Sequence, residues 1–132
     1  MSICRCIVWP AAELVAPGVV RHMYGNKFTL GEPDGSLSPR VIHVAKALEG
    51  GGFSAPIRRN IRDDIFKKLW GNATFNPISA LTGSTLDLLL SRPGVRELIV
   101  NMMQEVQKVG EAYGVHFRIT VQQRMRGAEE VR

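Results

Sequence analysis

The chain has 132 residues, of which 45% are hydrophobic and 22% charged. Those proportions belong to a globular chain and exclude a fully disordered, collagen-like or disulfide-stapled protein. Lys and Arg number 17 against 12 Asp and Glu, a net charge of +5 that permits an anionic ligand. No nucleic-acid partner is expected. The densest basic cluster, Arg58, Arg59 and Arg62, runs straight into Asp63 and Asp64, without an aromatic-rich strand pattern, finger spacing or zipper region.

In chain order, residues 3–9 (Ile-Cys-Arg-Cys-Ile-Val-Trp) read as a strand ending at Pro10. Cys4 and Cys6 fall on one side of that strand, too constrained to bridge each other, and read as a reduced pair of small apolar residues. His22, His43 and His116 supply no metal-ligand spacing to join them, so no metal is expected. Ile7 to Ala16 is interrupted by Pro10 and Glu13 and lacks a cleavage signal. No apolar run approaches the roughly 18 residues that span a bilayer, so a cytoplasmic protein with no membrane partner is the expectation. Val19 to Met23 and Lys27 to Leu30 read as two strands, with turn chemistry at Tyr24-Gly25-Asn26 predicting a hairpin between them.

Ser38-Pro39 opens a helix at the preferred cap and first positions. Val41, Val44, Ala45 and Leu48 share one face, and Gly50-Gly51-Gly52 stops the helix. Phe53 to Ile57 reads as a further short strand. A helix follows from about Asp63 to Thr82, with acids in its first turn and a bend or break near Ala73 imposed by Pro77. Another, from about Val95 to Tyr113, places Val95, Leu98, Ile99, Met102, Met103, Val106, Val109 and Tyr113 on one apolar face. The Met pair reads as core filler, and a last helix begins near Gln122.

The helix over 63–82 carries an unusual stripe. At 100° per residue, Lys68, Asn72, Asn76 and Ser79 fall within an arc of about 80°. Ile65, Leu69 and Phe75 lie in or beside that arc, and the solvent side is expected near Asp63, Lys67 and Thr74. One cation and two amides along one edge suit a small ligand carrying carboxylate, carbonyl and hydroxyl groups. A lysine in a desolvated cleft is also placed to act as a general acid. The same spacing fits a lysine reaching for water and asparagines that tie down adjacent backbone. Gly50-Gly51-Gly52 follows a helix where a dinucleotide fingerprint would precede one, and His22 and His43 form no nucleophile constellation.

Lys68-Leu-Trp-Gly-Asn72-Ala-Thr-Phe-Asn76-Pro-Ile-Ser-Ala-Leu81-Thr resembles the signature of the ketopantoate reductase (2-dehydropantoate 2-reductase) family: a Lys, an Asn four later, an Asn-Pro four after that, then a small-polar-Ala-Leu run. Val8-Trp-Pro-Ala-Ala-Glu13-Leu, Pro17-Gly-Val-Val-Arg-His22 and Leu30-Gly-Glu32 resemble the family's late Rossmann strands. Met103-Gln-Glu105 and Gly110-Glu-Ala-Tyr-Gly114 resemble its next helix.

The resemblance implies an NADPH-dependent reduction of a small 2-keto acid, 2-dehydropantoate, to the 2-hydroxy acid on the route to pantothenate and coenzyme A. It implies Lys68 as the catalytic proton donor and Asn72 and Asn76 as substrate-binding amides. Gly83-Ser-Thr stands where the family often places a further Asn-Gly. The implied fold is an α+β fragment. Residues 1–62 would be the terminal strands and one helix of a Rossmann-type domain. Residues 63–132 would begin an all-α substrate and dimerisation domain like the C-terminal domain of 6-phosphogluconate dehydrogenase. The segment corresponds to the middle of a family member, lacking the glycine-rich cofactor half and stopping ahead of a Ser and Gln-Asp substrate segment. A homo-oligomer is expected. The alternatives are a non-catalytic helical fragment or module that self-associates, or a reductase for another 2-keto acid.

Overall fold

Pro17-Gly18 supplies the tightest turn of the N-terminal region. Proline presets φ at the first corner, and Gly18 takes φ 75° at the second. The turn joins β2 (Ala11–Ala16) to β3 (Val19–Tyr24), which pair antiparallel with Leu14 opposite Val20. The same ribbon continues as β1 (Arg5–Val8) against β4 (Phe28–Gly31), with Val8 opposite Phe28. The computed structural model describes residues 4–129, so the first residue of the strand expected over 3–9 lies outside the described residues.

The hairpin expected about Tyr24-Gly25-Asn26 is therefore corrected: β3 pairs with β2, and β4 with β1. Gly25, at φ 79°, kinks the ribbon opposite Pro10, and the Trp9 N–H reaches the Lys27 carbonyl at 3.0 Å to carry pairing past the kink. β2 gives no strand signal in the residue pattern, because nearly all its side chains are exposed and leave no in-out alternation; only the family resemblance over residues 8–14 points to it.

The segment expected as a strand over 53–57 lies extended and parallel to β4 but forms isolated bridges only, Lys27 with Ser54 and Leu30 with Ile57. Pro56 accepts from the Leu30 N–H at 2.9 Å and has no N–H of its own to continue the ladder.

Helix α1 (Pro39–Gly50) begins as expected. Ser38 Oγ accepts from the Val41 N–H at 3.2 Å, and Val41 and Ala45 are buried with Leu30 and Ala55 against Val44 and Leu48. Glu32 is buried in the preceding loop. Its carboxylate accepts from Arg40 Nε at 3.1 Å and Nη2 at 2.5 Å, and from Ser38 Oγ. These bonds, Arg40's first and then Ser38's, hold the Glu32 carboxyl below its ordinary pKa. Gly31 is required by close approach: a Cβ there would stand 2.6 Å from both the Arg58 carbonyl and the Ile61 side chain.

The chain divides into two compact units between Asp64 and Ile65, inside the first turns of α2 (Ile61–Ala73). The second unit continues with α3 (Phe75–Thr82), α4 (Leu86–Ser91), α5 (Pro93–Ala112) and α6 (Val121–Glu129). The break expected near Ala73 falls at Thr74, with φ −121° and ψ −70°. Pro77 has no N–H for the Ala73 carbonyl, so the helix cannot run through. α6 opens with a reciprocal cap: Thr120 Oγ1 accepts from the Gln123 N–H at 3.1 Å, and the Gln123 side chain from the Thr120 N–H at 2.8 Å.

The core of this unit gathers Trp70, Phe75, Leu89, Ile99, Met103 and Met125. Trp70 stacks on Phe117 at 4.5 Å and donates its indole N–H to the Met103 carbonyl at 3.0 Å. On α5 the buried seam runs Ile99, Met103, Gly110, while Leu98, Val109 and Tyr113 are exposed. Ile99 and Met103 of the expected face are buried and Val95 and Val106 pack against the core, so one side of that face is covered and the other is open. Gly110, which shows no side chain to a hydrophobicity pattern, admits the Phe66 and Phe117 rings, both under 3 Å from where its Cβ would stand.

Candidate functional site

The stripe survives the helix break. Asn72 near the end of α2 and Asn76 in the first turn of α3 face each other, with Asn76 Nδ2 donating to Asn72 Oδ1 at 3.3 Å. Ser79 Oγ donates to the Asn76 carbonyl at 3.0 Å. Lys68, one turn before Asn72, is half-buried, whereas Asn72 and Asn76 are exposed. The structure thus brings the two amides into contact with each other, and Lys68 lies one turn upstream.

The solvent side of this helix is not where the periodicity placed it. Trp70 and Thr74 are fully buried on the arc shared with Asp63 and Lys67, and Thr74 Oγ1 donates to the Trp70 carbonyl at 2.5 Å. Lys67 alone of the expected trio is exposed. The arc of Asn72, Asn76 and Leu69 is the open one, because the unit packs on the Trp70 side. Apolar neighbours in sequence masked this: Leu69 counts as core in a hydrophobicity pattern and is exposed in the fold.

Arg124, from α6, flanks the stripe and carried no signal in the sequence. Its guanidinium Cζ lies 5.3 Å from the Phe75 ring centre, and its Nη2 stands 3.2 Å from where a Gly71 Cβ would be. Gly71 and Phe75 are the chain neighbours of Asn72 and Asn76. The separation of about 50 residues puts this pairing beyond any local pattern. Gly71, a poor helix former kept in a helix interior, was the one hint available.

Cys4 and Cys6 are free thiols, as expected. Burial, and then the neighbouring Cys4, push the Cys6 thiol above its ordinary pKa, which keeps it protonated and a poor nucleophile. Among the described residues no three His, Cys, Asp or Glu side chains cluster as metal ligands, and no helix is long and apolar enough to cross a membrane.

An α+β chain of short antiparallel strands followed by helices, with a Lys-Asn-Asn stripe on the second and third helices, defines a recognisable class of protein. The chain belongs to the ketopantoate reductase family. Residues 60–131 match the profile described as ketopantoate reductase PanE/ApbA C terminal. It is 50% identical over 125 residues to the 2-dehydropantoate 2-reductase of Mesorhizobium japonicum, a match covering 95% of this chain and 38% of that protein. To the 2-dehydropantoate 2-reductase of Halobacterium salinarum it is 30% identical over 115 residues, covering 87% of this chain and 38% of that one. A Ralstonia solanacearum MolK2 structure assigned as a ketopantoate reductase superposes with a TM-score of 0.91 at 34% identity, over 97% of this chain and 40% of that one. The 2-dehydropantoate 2-reductase of Methylococcus capsulatus does so at 0.81 and 28%, over 99% and 42%. The chain therefore spans less than half the length of these relatives.

No glycine-rich turn of the kind that receives a dinucleotide pyrophosphate leads from a strand into α1 or α2. The α1 N-terminus is capped by Ser38 and flanked by the Glu32 carboxylate, and the first turn of α2 carries Asp63 and Asp64. Arg40 pairs with Glu32 at 2.5 Å and Arg58 with Asp64 at 3.7 Å, so Glu32 and Asp64 are already partnered.

Proposed function

We propose that this chain is the substrate-facing part of a reductase that converts 2-dehydropantoate to pantoate, with Lys68 as proton donor and Asn72 and Asn76 as substrate-binding amides. The observation that carries the reading is the Asn72–Asn76 contact across the helix break with Lys68 one turn upstream, in a chain of this family. Reduction of a ketone develops negative charge on its oxygen, and a positioned ammonium relieves that charge by giving up a proton. Two amides on one edge of the helix pair, each able to donate and to accept, hold the neutral polar groups of the substrate. NADPH is the reductant expected of the family. Residues 1–62 read as the late strands of a Rossmann-type domain and 63–132 as the start of a helical substrate domain.

The test is a chimaera in which this chain replaces the matching segment of the Mesorhizobium japonicum protein. Reduction of 2-dehydropantoate by the chimaera, lost on Lys68→Ala, supports the reading. A folded chimaera with no reductase activity overturns it. A second reading, a non-catalytic helical module that self-associates, is favoured by the exposed Leu81, Leu88, Leu98, Val109 and Tyr113. It expects a dimer of the 132-residue chain in sedimentation, and a monomer at high concentration overturns it.

A further inference from the structure

Arg124 is the one arginine among the described residues that is not exposed. Its guanidinium is held from two sides, by the gap that Gly71 leaves and by the face of Phe75. A ring face attracts a cation but does not neutralise it. Among the described residues no carboxylate lies within ion-pairing distance of it: Glu129, the acid nearest in sequence, is taken by Arg96 at 3.3 Å. Burial lowers its pKa, the mark of a cation that has lost water without gaining an anion. A half-buried guanidinium with five donors and no acceptor fits a planar carboxylate, which it grips by two parallel hydrogen bonds.

The stripe beside it has a complementary deficit. A 2-keto acid carries a carboxylate next to the reacting carbonyl. If the Lys68 ammonium serves the carbonyl oxygen, the carboxylate charge needs a second cation, and Asn72 and Asn76 carry none. We propose that Arg124 binds the carboxylate of the 2-keto acid and so sets the preference for acids over simple ketones, an inference that rests on the reductase reading above. Gly71 then has a function in the helix interior: a side chain there would press on the guanidinium at 3.2 Å.

The experiment compares the parent chimaera with its Arg124→Gln and Arg124→Lys variants. Arg124→Gln is expected to raise KM for 2-dehydropantoate about tenfold to hundredfold, the usual effect of losing a hydrogen bond to a charged group. Its kcat and its KM for NADPH should stay near the parent's, and Arg124→Lys should recover part of the loss. An unchanged KM for 2-dehydropantoate in a variant that melts with the parent overturns the proposal. So does a rise confined to the KM for NADPH, which would assign the anion to a cofactor phosphate, or a lowered melting temperature with unchanged KM, which would make the arginine purely structural. A folded but inactive parent chimaera tells against the reductase reading. In that case NMR of the arginine Nε–H groups in the 132-residue chain, titrated with 2-dehydropantoate, decides the inference alone. A shift confined to Arg124 supports carboxylate binding, and no shift overturns it.

Discussion

Asn76 donates its side-chain amide to the Oδ1 of Asn72 at 3.3 Å across the break between α2 and α3. The break that Pro77 forces would ordinarily separate two residues four apart. Here the kink at Thr74 preserves their alignment, and Thr74 is itself pinned by its hydroxyl to the Trp70 carbonyl. A polar pair exposed on one side of the helix is thus positioned by a buried bond on the other.

The role of Lys68 is separable from that of its neighbour. In the chimaera, Lys68→Ala is expected to lower kcat by about 10²–10⁴, the range for a positioned general acid. Lys67 lies about 100° around the helix and is exposed, so Lys67→Ala should leave steady-state kinetics nearly unchanged. Equal losses in the two variants would contradict the assignment.

Trp70 holds the second unit through both its ring and its N–H. Trp70→Ala should cost about 3–5 kcal/mol of unfolding free energy by opening a large cavity. Trp70→Phe keeps an aromatic ring against Phe117 but removes the donor to Met103, and should cost about 1–3 kcal/mol. Urea titration followed by far-ultraviolet circular dichroism distinguishes the two, and a Phe variant as damaging as the Ala variant would show that the hydrogen bond dominates.

Two helical glycines should respond to alanine with opposite signs. At Gly110 the new methyl would meet Phe66 and Phe117 at 2.8–2.9 Å, and overpacking of about 1–3 kcal/mol outweighs a helix-propensity gain of about 1 kcal/mol. At Gly127 nothing lies within 4 Å of the added carbon, so only the propensity gain remains and the variant should melt higher. Thermal melts of both variants check the contrast.

Glu32 makes the first unit acid-sensitive. Its carboxyl pKa is lowered in the folded state by Arg40 and Ser38, so the unfolded chain binds a proton at higher pH than the folded one. The resulting stability is present above the unfolded value near 4.3 and is lost as pH falls towards the lower folded value. Asp34, lowered by its hydrogen bonds to Ser36, acts in the same direction. Glu32→Gln should reduce stability at neutral pH and flatten its decline in acid. A decline as steep as the parent's, measured by denaturant midpoints across the acid range, would assign the sensitivity elsewhere.

The amino-acid sequence by itself determined the features whose causes are local. Ser38-Pro39 set the start of α1 because a cap needs only its next three residues, and Pro77 set the break near Ala73 because the missing N–H acts one turn away. The Lys68, Asn72, Asn76 spacing was likewise legible, since helical geometry converts sequence distance directly into a shared edge. What only the tertiary structure decided depends on distant partners. Tyr24-Gly25-Asn26 has hairpin chemistry, yet β3 pairs with β2 because the Pro17-Gly18 turn closes first in the chain and leaves Gly25 as a kink. The phase of α2 belongs to Trp70, whose burial depends on Phe117 and Met103, 47 and 33 residues away. Arg124 comes to the stripe by the same route, because the packing of α6 on the core brings together groups that no pattern of spacing connects.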